Sequence, residues 1–358
     1  MTSRQPSLQV ARMPTSPILA ASEAYLKQLE RSGSAASKRL IAQYATALAR
    51  LQSQVDRLEQ QLRESVDGTL AQLYRLDRYQ ALIEQVADEM GRLGSQLAQV
   101  AHTAAVNAAS VGATSGINVG RLAAGRGPIG DAFMLLDRAT IERASAFVNP
   151  QSPLYRRLVR DYGRAWAEVI AQQYVSGIAQ GWNPRRIKAA ILRTLTTAVP
   201  AHIETTIRTA QLWTYHSTQQ AVWQTSGLVD YWTWHAALGQ PRTCASCIAK
   251  HGSRHPVSEV LRDHHNGRCA QVPHVVGTPA QNIPSGESVF AAYSQQQQMA
   301  LASAAGWLPQ WRAWQAGAIK FSDLSQAHDD DVYGPMFTQA SLKSLLGEQA
   351  AQYYERNQ

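Results

Sequence analysis

The sequence predicts a mainly α fold with one small β-hairpin (α+β): long N-terminal helices or a coiled coil, then a helical C-terminal body presenting a zinc-knuckle-like loop. Three observations lead there. Apolar residues recur three and four apart over most of residues 41–100. Helix start and stop signals punctuate the chain from Ser152 onward. One short run, 229–236, has strand character and precedes a loop holding all three cysteines.

With 358 residues, 45% of them hydrophobic, the chain has room for one large or two to three small domains. No apolar run is long enough to span a bilayer, so no membrane partner is expected. The first twenty residues lack the pattern of a secretion signal. Three cysteines make no complete disulfide framework, which suits a reducing cytoplasm. A formal charge of +8 favours nonspecific contact with polyanions such as DNA, or with acidic protein surfaces.

In chain order, residues 1–40 contain Pro6, Pro14, Pro17 and the run SGSAAS, and read as a flexible arm with one short helix near 23–31. From Ile41 the residues Tyr44, Leu48, Leu51, Val55, Leu58 and Leu62 form an a/d seam, which resumes as Leu76, Tyr79, Ile83, Val86, Met90, Leu93, Leu97 and Val100. Between the two lie Ser65, Gly68, Thr69 and Gln72. At about 1.5 Å rise per residue a straight rod would be about 90 Å long and would need a partner over its seam. A hairpin folded at Asp67-Gly68 buries its own seam and is preferred. The seam serves either self-association through 41–100 or an internal bundle.

Residues 101–130 are rich in Gly, Ala, Ser and Thr and read as a linker at the main domain boundary. GRGPIG within them lacks the Gly-Lys-Ser/Thr of a phosphate loop and reads as a turn. Helical patterning returns over 131–147 and again from Ser152, an N-cap followed by Pro153. Gly181 stops that helix; Asn183 and Pro184 open the next. A central helix is expected over 201–224, with Glu204 and Arg208 paired at i,i+4 and Gly227 as the stop. The strand 229–236 needs a partner, for which 270–276 is the evident choice.

Between those strands lie Cys244, Cys247 and Cys269, with His251, His255, His264 and His265. A C-x2-C pair aims two thiolates at one point, and tetrahedral zinc needs two more ligands brought back from further along the chain. Cys269 and either His264 or His265 supply them. The expected metal set is therefore Cys244, Cys247, Cys269 and one of these two histidines, His264 or His265, holding structural Zn2+.

The run RTCASCIAKHG, with an aromatic strand before it and a histidine, a cysteine and Val-Pro after it, resembles the phage head morphogenesis (Mu F-like) domain of minor head proteins. Trp234, Arg242, Thr243, Cys244, Cys247, His251 and Gly252 match in order. His264 takes the place of the family histidine, whereas Gly267 stands where the first cysteine of a closing Cys-Arg-Cys would be. A Gly-x-x-Pro-Arg turn at 181–185 and the Ile207-Arg208-Thr209-Ala210 run, which lacks the family's acid, also bear on it. The resemblance covers roughly 181–345, strongest over 232–273. It places a Mu F-like domain at 131–280 and a helical tail at 281–358. By their spacing Trp307, Trp311 and Trp314 fall on one helical face of that tail, as core or interface anchor. It implies a structural and assembly protein of a tailed phage, a minor capsid protein in the virion at the head interior or portal vertex. Its implied partners are the portal protein and capsid or scaffold proteins, with a role in DNA packaging or ejection and no catalytic residues.

The alternative is a metal-dependent ββα-type (HNH-like) nuclease, suggested by C-x2-C followed by Asp263-His264-His265. Its completing Asn and His are not at suitable spacing, and Asn266-Gly267 reads as a turn. The acidic run 329–331 has no accompanying base or nucleophile and reads as a solvated loop.

Overall fold

The computed structural model describes residues 16–64, 77–125, 128–131, 133–134, 136–144, 146, 149, 151–238 and 243–356. Residues 1–15 of the expected arm, the polar break at 65–76 and Arg242 lie outside them. The described residues are mainly helical with little sheet, as the sequence predicts. They belong to two compact units, one drawn from the chain up to Gln28, from Ala109–Ile141 and from Trp213 onward, the other from Leu29–Ala108 and Glu142–Leu212.

Two helices dominate the N-terminal half, α1 (Pro17–Glu64) and α2 (Asp77–Ala124). Both correct the sequence reading. Residues 17–40 are helix rather than loose arm, and 101–124 continue α2 rather than forming an open linker; the helix stops only at Gly125, whose φ is 75°. The small residues of 101–124 suggested little burial. Alanine is the best helix former, however, and small side chains let helices approach closely.

In the unit containing residues 29–108, the two seams lie side by side. Arg50 Nε and Nη2 donate to Glu89 at 2.6 and 3.0 Å, pairing residues nearly equidistant from the break, as in a hairpin. Tyr44, Leu51, Val55, Leu58, Val86, Met90, Leu93 and Leu97 are buried. Further helices of the same unit complete the packing. Ser152 caps the run that begins at Pro153, accepting from Tyr155 N at 3.1 Å, and after a wide π turn at Arg157–Asp161 it becomes α3 (Tyr162–Ala179). Gly181, at φ 67°, reverses the chain, and Asn183 caps α4 (Pro184–Arg193). A second π turn at Thr194–Ala198 leads to the central helix α5 (Val199–Ser226). Tyr44 Oη donates to the Leu195 carbonyl in that turn, and Lys188 pairs with Asp56 and Glu59. The seam is thus covered within the chain. Arg208 pairs with Glu30 at 3.0 Å, not with Glu204, because α1 brings a carboxylate to a half-buried guanidinium while Glu204 stays exposed.

Two short helical pieces follow α2: Arg138–Ala144, much shorter among the described residues than the 131–147 expected, runs across the change of unit after Ile141, and Pro128–Asp131 lies in the other unit. Within it the small face of α2 meets α5: a Cβ at Gly112 would stand 2.5 Å from the Tyr215 carbonyl oxygen, and one at Gly116 2.8 Å from Val222 Cβ. Close approach brings polar groups into register as well. Ser115 Oγ lies 2.7 Å from Tyr215 Oη, and Trp223 Nε1 donates to Gly116 O at 2.9 Å.

After Gly227, at φ 66°, the chain enters β1 (Val229–His235), then α6 (Ala245–Lys250), β2 (Arg254–Pro256) and β3 (Ala270–Val275). The sheet is antiparallel in the order β2-β1-β3, with Trp232 opposite His255 and Pro273, and Trp234 opposite Gln271. The predicted pairing of 229–236 with 270–276 is present, and three-residue β2 adds an unforeseen edge. Trp223, Trp232, Trp234, Val272 and Val275 are buried in the core around this sheet.

The tail is not helical throughout. α7 (Gly286–Ala291), α8 (Gln295–Ala304) and α9 (Leu308–Gln315) are followed by the hairpin β4 (Ser325–Asp330) and β5 (Gly334–Gln339), then α10 (Leu342–Leu346) and α11 (Glu348–Arg356). The polar strand SQAHDD carries no apolar alternation to announce it. Trp307 and Trp311 are buried with Phe290 and Phe321, and Trp314 packs against them, forming the expected core.

Candidate metal centre

Three local structures converge on one point. Cys244 is the N-cap of α6, its backbone extended at φ −70° and ψ 160°, and its sulfur accepts from Cys247 N at 3.4 Å. A capping residue and the third residue after it face the same end of a helix, so C-x2-C here presents two sulfurs together. The loop after Leu261 returns His264, whose Nε2 lies 3.1 Å from both sulfurs. Its Nδ1 lies 2.7 Å from the His265 carbonyl oxygen; donation there leaves the Nε2 lone pair for the cluster. Cys269 ends the loop just before β3 and is buried.

The ligand atoms of Cys244, Cys247 and His264 lie within 4.8 Å of one another, as do those of Cys247, Asp263 and Cys269. Cys247 belongs to both groups. The four residues singled out in the sequence therefore form one cluster with the donors to hold a metal ion. Of the two adjacent histidines it is His264 that faces the thiols. His265 turns away to Asp330, at 3.0 Å.

The electrostatics are those of a site crowded with acidic protons. A hydrogen bond from Cys247 holds the Cys244 thiol down at about 5 against the opposing effect of burial, with the His264 imidazole adding to it. Cys247 is pushed well above its usual range by its neighbours Cys244 and Cys269. Burial disfavours charge on His264, yet Cys244 and Asp263 outweigh it and raise the ring to about 10. Burial lifts Cys269 to about 11. Three thiols against one imidazole cannot all ionise together, and a divalent cation would relieve this by displacing protons from sulfur and imidazole.

The surrounding residues are structural. Thr243 Oγ1 donates to Ala237 O at 2.7 Å, fixing the approach to α6. His251 is buried and neutral, with burial lowering it to about 3, and its Nδ1 accepts from Ala236 N at 3.0 Å. Gly252, at φ 81°, turns the chain so that its N–H reaches Trp234 O at 2.8 Å. His255 stacks on Trp232 with ring centroids 4.4 Å apart, outside the cluster.

Three neighbours bear on the cluster in ways that spacing does not reveal. Asp263, considered only as a nuclease residue, accepts from the backbone N–H groups of both His264 and Cys269. His216, on α5, is buried beside Asp263 and the Cys269 backbone and is lowered by burial to about 4. The indole N–H of Trp234 has no hydrogen-bond partner of good geometry, but lies near enough to the Cys269 sulfur to lower its pKa. Asp330, read as part of a solvated run, instead accepts from Val332 N and Tyr333 N and closes the β4–β5 turn. No helix among the described residues is long and apolar enough to cross a membrane. Comparisons with protein-family models, with curated proteins and with solved structures return no match for this chain.

Proposed function

We propose that the protein is a structural and assembly protein of a tailed phage, a minor head protein that associates with the portal, with Zn2+ pinning its cysteine-histidine loop. One observation carries the reading. The residues that resemble the Mu F-like motif are those that hold the loop together: Thr243 ties it, Cys244 caps it, His251 and Gly252 join it to β1, and Cys247, His264 and Cys269 converge beneath it.

Three thiolates and one imidazole suit zinc, and four protein donors leave no open position for water, as in a structural site. The metal would supply cross-linking of the loop and no bond-making chemistry. Both ring nitrogens of His264 are engaged, one by the thiols and one by a carbonyl, which supports binding over general-base catalysis. On this reading the protein resides in the virion at the head interior or portal vertex, meets capsid or scaffold proteins there, and the charge of +8 favours nonspecific contact with packaged DNA.

Co-purification with the portal protein tests the assembly role, and a stable complex is the expected result. Failure to associate, together with metal-dependent DNA nicking lost in His264→Ala, would replace it with the nuclease reading.

A further inference from the structure

The loop Asp263–Cys269 closes around one carboxylate. Asp263 Oδ1 accepts from His264 N at 2.9 Å, and Oδ2 accepts from Cys269 N at 3.2 Å, so each oxygen takes the amide of one residue of the cluster. Oδ1 also accepts from Cys247 Sγ at 3.5 Å and lies 3.6 Å from His264 Nε2. The chain wraps the carboxylate through a tight turn: Gly267 N donates to His264 O at 3.0 Å, and Asn266 stands in the left-handed region at φ 61°. Gly267 is buried against the carboxylate itself, and any Cβ there would overlap Asp263 Cγ and Oδ2.

We propose that Asp263 is the positioning residue of the metal centre, an outer carboxylate that sets the spacing of His264 and Cys269 through their amides, with Gly267 as the cradle that admits it. The inference rests on the metal-binding reading of the cluster. Asp263 joins Cys247 and Cys269 within ligand distance of one another, but its two acceptor oxygens already serve amides, and the three thiols and His264 complete a four-donor set without it. Outer partners of this kind commonly alter metal affinity by about 10–100-fold without changing the ligand set.

The test uses the full chain and Co2+ as the probe, read by its visible absorption and its thiolate charge-transfer bands. Asp263→Ala is expected to weaken Co2+ binding by about tenfold or more, while the saturated spectrum keeps the wild-type band positions and intensities. Gly267→Ala is expected to weaken binding in the wild-type background and to have less effect beside Asp263→Ala, because the carboxylate it collides with is gone and only the Cβ of residue 263, at 2.9 Å, remains close. Amide hydrogen exchange of His264 and Cys269 in metal-free protein gives a second reading, with protection in the wild type lost in Asp263→Ala. Unchanged affinity, a shifted saturated spectrum that makes Asp263 a ligand, or unchanged exchange would overturn the proposal. Wild-type protein that takes up no Co2+ yet shows the expected exchange difference would refute the metal reading and leave the loop anchor standing.

Discussion

The hairpin of α1 and α2 and the cysteine-histidine loop are held by opposite means. In the hairpin, Leu51, Val55, Val86 and Leu97 bury aliphatic surface at regular spacing, and many contacts of similar kind share the stabilisation. In the loop between α6 and β3, single atoms do the work: one sulfur caps a helix, one imidazole meets two sulfurs, and one carboxylate takes two amides. Redundant apolar packing tolerates change in proportion to volume. A polar cluster fails when one partner goes, since the others are left buried and unpaired.

The largest effect expected is at the cluster. Cys247→Ser removes the sulfur shared by both ligand groups, so bound metal should fall from about one ion per chain to nearly none, and melting should lose its sensitivity to chelator. A variant that kept both its metal and its chelator response would show that the loop resembles the hairpin in redundancy. In the hairpin, Leu51→Ala should cost about 2–5 kcal/mol in denaturant unfolding, with metal content unchanged. A smaller effect is expected for Gly112→Ala: the added methyl meets the Tyr215 backbone, for a loss of about 1–3 kcal/mol.

The last prediction concerns pH. His251 is neutral when folded, lowered from 6.5 to about 3 by burial, so the unfolded chain binds the extra proton in between. Stability is therefore complete above pH 6.5 and declines as pH falls towards 3, by at most about 1.4 kcal/mol per pH unit from this group. His251→Asn keeps an acceptor for Ala236 N–H and removes the titration, so its stability profile should be flatter over that window. An equally steep profile would assign the acid sensitivity elsewhere.

The same contrast explains what was legible in the sequence. Tyr44, Leu51, Val55, Leu58, Val86, Met90, Leu93 and Leu97 of the seam, the Ser152 and Asn183 caps and the strand at 229–236 follow from local spacing and stand where it puts them, whereas Ile41, Leu48 and Ile83 are only half-buried beside buried Leu40, Ala47 and Leu82. C-x2-C with His264 and Cys269 was legible because metal donors are few and distinctive. The helix over 101–124 was missed because its stability comes from how closely Gly112 and Gly116 let α5 approach, which composition does not reveal. The β4 strand was missed because it lacks apolar alternation. His216 and Asp263 reach the cluster by tertiary placement and by backbone hydrogen bonds, neither of which leaves a spacing signature.

The central claim is that Cys244, Cys247, His264 and Cys269 hold one metal ion that pins the loop. Elemental analysis of reduced protein, purified without chelator, tests it most directly when run beside Cys247→Ser. About one zinc per wild-type chain and almost none in the variant is the expected result. Wild-type protein free of metal, with a melting temperature indifferent to added Zn2+ or chelator, would contradict it.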